Sequence, residues 1–175
     1  MTPEDLAAVE RSLGRLRHRL DDVADDFYRR LFAAHPELQP LFPGDLRRQR
    51  AKFAVQLDEL VSSIRNLDVL LRDGGALGAR HLGYGVRSGY YEFALHPLLA
   101  SLAAHSGDGW SDDLATAWRR AYQLVAEAML QGAAAARTAP PDAGRQPAPP
   151  RRWSQQAVRH RISGVGDGPA DVDPQ

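Results

Sequence analysis

The chain has 175 residues, with 22 lysines and arginines balanced by 22 aspartates and glutamates, and 43% of it is hydrophobic. That length suits one domain with residues to spare, and that hydrophobic content supplies a core, while a zero net charge excludes an overall basic field for nucleic acid or an anionic membrane. With no cysteine, disulfides, thiolate catalysis and cysteine-ligated metals are excluded as well.

The chain opens Met1-Thr2-Pro3-Glu4-Asp5, which is acidic and lacks the apolar core of a signal peptide. No apolar run approaches the ~20 residues that span a bilayer, so the expectation is a soluble, cytoplasmic protein. Thr2 is a good N-cap and Pro3 suits a first helical turn. Leu6, Val9, Leu13, Leu16 and Leu20 then recur at helical spacing. A second helix is predicted from about Asp21 to Ala34, with Val23, Phe27, Leu31 and Ala34 as its apolar stripe. Asp21, Asp22, Asp25 and Asp26 fall near its N-terminal end, where the helix dipole favours acidic groups.

His35-Pro36 ends that helix, because the residue before proline disfavours the α region. A short turn over Glu37 to Phe42 and the loop signal Pro43-Gly44-Asp45 follow. The spacing of Phe53, Leu57, Leu60, Val61 and Ile64 predicts a long helix from about Leu46 to Asn66. The next runs from about Asp68 to His81, interrupted at Gly74-Gly75 and closed by Gly83 and Gly85. Ser88 is placed to cap a helix reaching about His105. After the turn Gly107-Asp108-Gly109, Ser111 caps a last helix through about Ala136, with Leu114, Trp118, Tyr122, Val125 and Met129 inward. Nothing before the tail alternates like a strand, so the fold class is all-α, with helices too unequal for an even four-helix bundle.

The composition changes near Gly132. From Thr138 the chain reads Thr-Ala-Pro-Pro, then Pro147-Ala148-Pro149-Pro150, and ends rich in glycine, aspartate and proline. Such a stretch buries too little apolar surface to offset chain entropy. The expected organisation is one helical domain over 1–137 and a disordered linker or tail over 138–175.

Six histidines are the candidate ligands: His18, His35, His81, His96, His105 and His160. None has an i, i+4 partner and no HExxH is present, which argues against a dedicated zinc site. His81 differs from the rest by context. It ends a predicted helix, and nearby glycines permit the close backbone approach that a flat macrocycle beside an axial ligand needs. No nucleotide-binding loop, nucleophile elbow or dinucleotide fingerprint occurs.

The segment from Gly78 to Leu99, with Arg80-His81, Tyr84-Gly85-Val86, Tyr90-Tyr91 and Leu98-Leu99, resembles bacterial haemoglobins and the globin domain of flavohaemoglobins. So do Phe27-Tyr28-Arg29-Arg30-Leu31-Phe32, His35-Pro36-Glu37-Leu38, Pro40-Leu41-Phe42, Ile64-Arg65-Asn66-Leu67 and Ala117-Trp118-Arg119-Arg120-Ala121-Tyr122, in the family's order over about residues 3–135. The resemblance implies a globin fold with one b-type haem. It makes His81 the proximal ligand of the iron, its second ring nitrogen held by a backbone carbonyl near Leu77. It makes Phe42 the wedge against the haem face, Tyr28 the distal donor to dioxygen, Gln49 a second donor, and Phe53 an apolar neighbour that crowds the ligand. Arg80 and Arg87 are placed to reach the haem propionates, and Val86 and Tyr91 complete the expected haem contacts.

The chain departs from the family in a shorter loop between Phe42 and Gln49 and in the proximal network. The glutamate that would join Tyr91 in a proximal network falls at Ala133, which weakens the electron push on iron and argues against peroxidase-like or efficient dioxygenase chemistry. Pro150 to Ile162 resembles the opening of a flavin reductase domain, with the rest of that domain missing. The expected function is reversible binding of dioxygen for storage or transport, with no catalytic residue assigned. The alternatives are a nitric oxide dioxygenase dependent on a separate reductase, and a globin-fold sensor or interaction module. No nucleic acid or membrane partner is expected.

Overall fold

The computed structural model describes residues 1–138 of the chain. The Thr2 side chain accepts from the Asp5 amide and the Asp5 carboxylate accepts from the Thr2 amide, a reciprocal cap that starts α1 (Pro3–Leu16). A single 3-10 turn, Arg17–Arg19, redirects the chain into α2 (Leu20–Ala34). The apolar row predicted as one stripe from Leu6 to Leu20 is therefore shared by two helices. Beyond His35 the expected turn is a 3-10 helix, Pro36–Leu41.

Asp45 caps α3 (Leu46–Ser63) by accepting from the Arg47 amide at 2.9 Å. This helix ends before Asn66 because Asn66 starts the next element. Its Oδ1 accepts from the Val69 amide at 3.2 Å and opens α4 (Leu67–Gly83). The expected interruption at Gly74-Gly75 does not occur. Helix α4 runs straight through, because those glycines lie where it meets α6 (Asp112–Thr138) backbone to backbone. A Cβ on Gly78 would sit 1.8 Å from the Met129 carbonyl oxygen, and one on Gly132 would sit 2.2 Å from that of Gly75. The helix-propensity cost of about 1 kcal/mol per glycine is offset by this close seam.

Gly85 ends α4 with a φ of 83°, a conformation that favours glycine. The Val86 amide can then reach back to the His81 carbonyl at 3.0 Å, closing the helix end. Helix α5 (Tyr90–Ser106) begins after Gly89 with no side-chain cap, so the expected capping role of Ser88 is not seen. Ser88 contributes only its carbonyl, to the Tyr91 amide. Ser111 caps α6 as expected, accepting from the Leu114 amide at 3.2 Å.

Every element among the described residues is helical, and none is long and apolar enough to cross a membrane. Helix α2 packs on α3 and α5, α1 on α6, and α4 lies along α6. Val9, Leu13, Val23, Leu31, Leu98, Leu102 and Trp118 share one core, into which Phe53, Leu57 and Tyr122 pack from its edge. A smaller cluster of Leu60, Leu70 and Ala128 lies under the seam between α4 and α6. The buried Trp118 indole donates to Ser12 at 3.3 Å, joining α6 to α1. The tail beyond Thr138, including the reductase-like Pro150 to Ile162, lies outside the described residues.

Asp26 corrects a sequence expectation. Asp21 and Asp22 occupy the first turn of α2, exposed, as the dipole argument has it. Asp26 is buried, and its carboxylate is held by Arg29 and by Arg30, the latter at 2.8 Å. His105 of α5 approaches it at 3.9 Å.

Candidate functional site

Tyr28 sits on the buried face of α2 and is 3% exposed. Its ring lies edge-on to Phe42 at 5.5 Å and to Phe53 at 5.7 Å, and Phe27 stacks on Phe53 at 4.5 Å. Three elements thus build one aromatic nest: α2 gives Phe27, Tyr28 and Phe32, the end of the 3-10 turn gives Phe42, and α3 gives Phe53. The nest is apolar except at the Tyr28 hydroxyl.

That hydroxyl has one partner among the described residues. The Gln49 side-chain amide donates to it at 3.2 Å from the first turns of α3. The phenol oxygen is the acceptor, so its hydrogen stays available for a guest in the nest. Burial pushes the Tyr28 pKa up to about 12, against the Gln49 hydrogen bond and the positive charge of Arg50. Tyr28 is therefore a neutral donor at any physiological pH.

Arg50 escaped sequence reasoning. It follows Gln49 on α3 and pairs with Asp25, one turn before Tyr28 on α2. The Gln49–Tyr28 and Arg50–Asp25 bonds therefore cross from α3 to α2 side by side. The spacing of Asp25 and Tyr28, three residues apart on one helix face, was the available signal.

His81 lies in the last turn of α4. Its Nδ1 donates to the Leu77 carbonyl at 2.9 Å, the partner expected from the sequence. Burial pushes its pKa below the usual imidazole value; the Leu77 bond opposes that shift and the Arg80 charge adds to it. The ring is thus neutral at pH 7. With Nδ1 protonated, the lone pair is on Nε2, which makes no hydrogen bond among the described residues. A neutral, oriented imidazole with one nitrogen uncommitted is the donor chemistry that an axial iron ligand needs. No group of three or more histidine or acidic residues that could hold a metal ion occurs among the described residues.

Tyr91 stacks near His81, with ring centres 6.2 Å apart, and its backbone carbonyl accepts from the Tyr122 hydroxyl. Val86, Arg87, Tyr91 and Ala133 line a common cavity. Ala133 thus stands beside Tyr91, at the place where the resemblance puts a glutamate. Arg80 precedes His81 on α4 and is partly buried. Of the glycines near His81, Gly78 meets Met129 of α6, and Gly83 has open space beside it.

The structure so assembles the expected residues into two sets. Tyr28, Phe42, Gln49 and Phe53 form the nest between α2 and α3. His81, Val86 and Tyr91 gather where α4 turns into α5.

An all-helical arrangement of the described residues with this order of helices, a buried tyrosine–glutamine pair and a fixed histidine defines a protein of the globin class. The Globin family profile matches residues 25–129, and the chain belongs to the globin family. It is 28% identical over 134 residues to a flavohemoprotein of Halalkalibacterium halodurans, covering 75% of this chain and 33% of that one. It is 30% identical over 111 residues to a flavohemoprotein of Chromobacterium violaceum, covering 62% of this chain and 28% of that one. The chain therefore spans about a third of the length of these relatives. Among solved structures it is similar to a hexacoordinated heme protein from an anhydrobiotic tardigrade, with a TM-score of 0.72 and 18% identity, covering 77% of this chain and 96% of that one. At that identity the likeness shows the fold alone.

Proposed function

We propose that this haem-binding globin binds dioxygen reversibly, with His81 as the proximal ligand and Tyr28 as the distal donor. When bound, haem would supply a ferrous iron able to take a diatomic gas. The chain's own residues do the rest. His81, fixed by Leu77, offers Nε2 to the metal. Phe42 and Phe53 present apolar edges that keep bulk water from the ligand. Tyr28 donates its hydrogen to an oxygen atom carrying partial negative charge, which slows escape of the ligand.

The observation that carries this reading is the Gln49 bond to the Tyr28 hydroxyl. It aims the phenol, and it leaves the phenol hydrogen for the ligand. Arg80 and Arg87 are the proposed charge partners of the propionates, and Val86 and Tyr91 contact the proximal side. The matched part is about a third of the flavohemoprotein relatives' length, and turnover as a nitric oxide dioxygenase would need a reductase to return the iron to the ferrous state.

The test is an oxygen equilibrium on the reduced, haem-loaded protein. Repeated oxygenation and deoxygenation without loss of the ferrous spectrum supports oxygen binding. Oxidation to the ferric state within the first cycle contradicts it. Fast nitrate formation from nitric oxide with an added reductase assigns the chain to the dioxygenase instead.

A further inference from the structure

The first turns of α3, which carry Gln49, are weakly anchored by packing. From Leu46 to Phe53 no residue is fully buried, and Ala54 is the first that is. The same turns hold Arg47, Arg48, Arg50 and Lys52, and the next carboxylate after the Asp45 cap is Asp58. Cations at a helix N-terminus meet the positive end of the dipole. Arg47 and Arg50 lie three residues apart, and Arg48 and Lys52 four apart, spacings at which like charges repel. Gln49 therefore rides on a segment that its own charges loosen.

Asp25 of α2 supplies the compensating charge. Its carboxylate pairs with Arg50 at 2.5 Å. Among the described residues Arg47, Arg48 and Lys52 form no ion pair. Arg29, four residues beyond Asp25 on α2, is committed to Asp26, which leaves Asp25 for α3. Arg50 is not a freely solvated side chain. Its Nε is buried with no hydrogen-bond partner, so its stem lies against protein while Nη1 reaches Asp25. A buried N–H without a partner is costly, and the ion pair at the tip offsets that cost. The Arg50 charge is also felt at the Tyr28 hydroxyl, where it works against the upward push of burial.

We propose that the Arg50–Asp25 pair is a clamp that positions Gln49 on the Tyr28 hydroxyl and thereby sets the rate of oxygen escape. Arg50 and Asp25 are positioning residues, because neither has to touch the ligand. Their side chains are 36% and 52% exposed, so the clamp is open to screening by salt. The inference rests on the proposed distal role of Tyr28, but the clamp joins α2 to α3 and can be tested apart from oxygen.

A positive field without a clamp gives the opposite sign in one variant. Asp25→Asn releases the clamp, leaves the Arg50 cation in place and strips its counter-charge. A field alone would then hold a partly negative dioxygen more tightly. A clamp makes the same variant lose oxygen faster.

The test is stopped-flow oxygen displacement on the reduced, haem-loaded full chain, beside amide hydrogen exchange of the full chain, haem-loaded without oxygen and haem-free. Asp25→Asn and Arg50→Gln are each expected to speed oxygen loss about two- to fivefold, the worth of an exposed ion pair, with carbon monoxide loss unchanged. In a Gln49→Leu background neither substitution adds, because the clamp acts through Gln49. Raising the salt from about 0.01 M to about 1 M cuts the screening length from about 30 Å to about 3 Å. That change is expected to speed oxygen loss from the wild type and not from either variant. Exchange of the amides from Arg50 to Ala54 should speed by a similar factor in both variants, while those from Leu60 to Ser63 stay as they are. Slower or unchanged oxygen loss in Asp25→Asn, an undiminished effect in the Gln49→Leu background, or unchanged exchange at the start of α3 overturns the clamp. Failure of the wild type to bind oxygen reversibly overturns the function proposed above instead, and the exchange result still decides the clamp.

Discussion

The Gln49 side chain donates a 3.2 Å hydrogen bond to the Tyr28 hydroxyl from another helix, 21 residues away in sequence. Two polar groups in an otherwise aromatic nest are thereby paired, which lowers the cost of burying both. The same bond sets the direction of the phenol hydrogen. Removing either partner therefore has different consequences.

Tyr28→Phe keeps the ring contacts with Phe42 and Phe53 and deletes the proposed phenol donor to the ligand. Loss of a charge-assisted hydrogen bond of about 1.5–3 kcal/mol should accelerate oxygen dissociation by about 10- to 100-fold. Gln49→Leu leaves the phenol in place but unaimed, and a smaller acceleration, within about tenfold, is expected. Stopped-flow displacement of oxygen measures both. Carbon monoxide, which carries little negative charge when bound, should leave at nearly the wild-type rate in each variant. Equal acceleration for the two gases would point to a pocket that has lost its shape.

The seam between α4 and α6 gives a contrast between two glycines. Gly78→Ala forces a Cβ to within 1.8 Å of the Met129 carbonyl oxygen, and backbone cannot yield as a side chain can. A loss of about 3 kcal/mol is expected, with the helices pushed apart. Gly14→Ala, on the exposed face of α1 with nothing within 4 Å, should instead stabilise by about 0.5–1 kcal/mol. Urea unfolding of the two variants reads both signs in one experiment.

Asp26 predicts an acid limb of stability. Burial raises its pKa, but the hydrogen bonds from Arg30 and Arg29 and their charges outweigh that, and the net shift is downward. A carboxylate depressed in the folded state contributes stability that is full above its unfolded value, about 3.9, and is lost as pH falls through the folded value. Stability should therefore drop below about pH 4. Asp26→Asn should cost about 1–3 kcal/mol at pH 7, because Arg29 and Arg30 stay partly solvated when their partner is lost. It should also flatten that limb. Thermal unfolding across pH 3–7 checks the slope, and a variant with the same acid limb as the wild type would remove Asp26 from the explanation.

Much of the fold was legible in the chain because its signals are local. Thr2, Asp45, Asn66 and Ser111 each take a cap, and the sequence named Thr2 and Ser111 as such. His35-Pro36 stopped α2 where expected. Gly74 and Gly75 misled, because a glycine that breaks a helix and one that lets a second helix approach look alike until the neighbour is known. Asp26 misled for the same reason: its arginines are local at three and four residues, but its burial depends on α5. Within the site, the Leu77 partner of His81 followed from helix geometry at i−4. Family resemblance named Tyr28 and Gln49 as donors to the ligand, but the bond between them and the Arg50–Asp25 pair, which need the crossing of α2 and α3 to be seen, did not follow from the sequence.

The central claim is that His81 holds the iron. The measurement that tests it most directly is the absorption spectrum of the full chain with added haem, reduced and then exposed to oxygen, beside His81→Ala with and without free imidazole. The account predicts an oxygen-sensitive haem spectrum in the wild type, its loss or alteration in His81→Ala, and its return when imidazole fills the vacated place. An unchanged spectrum and unchanged haem uptake in His81→Ala would contradict the assignment.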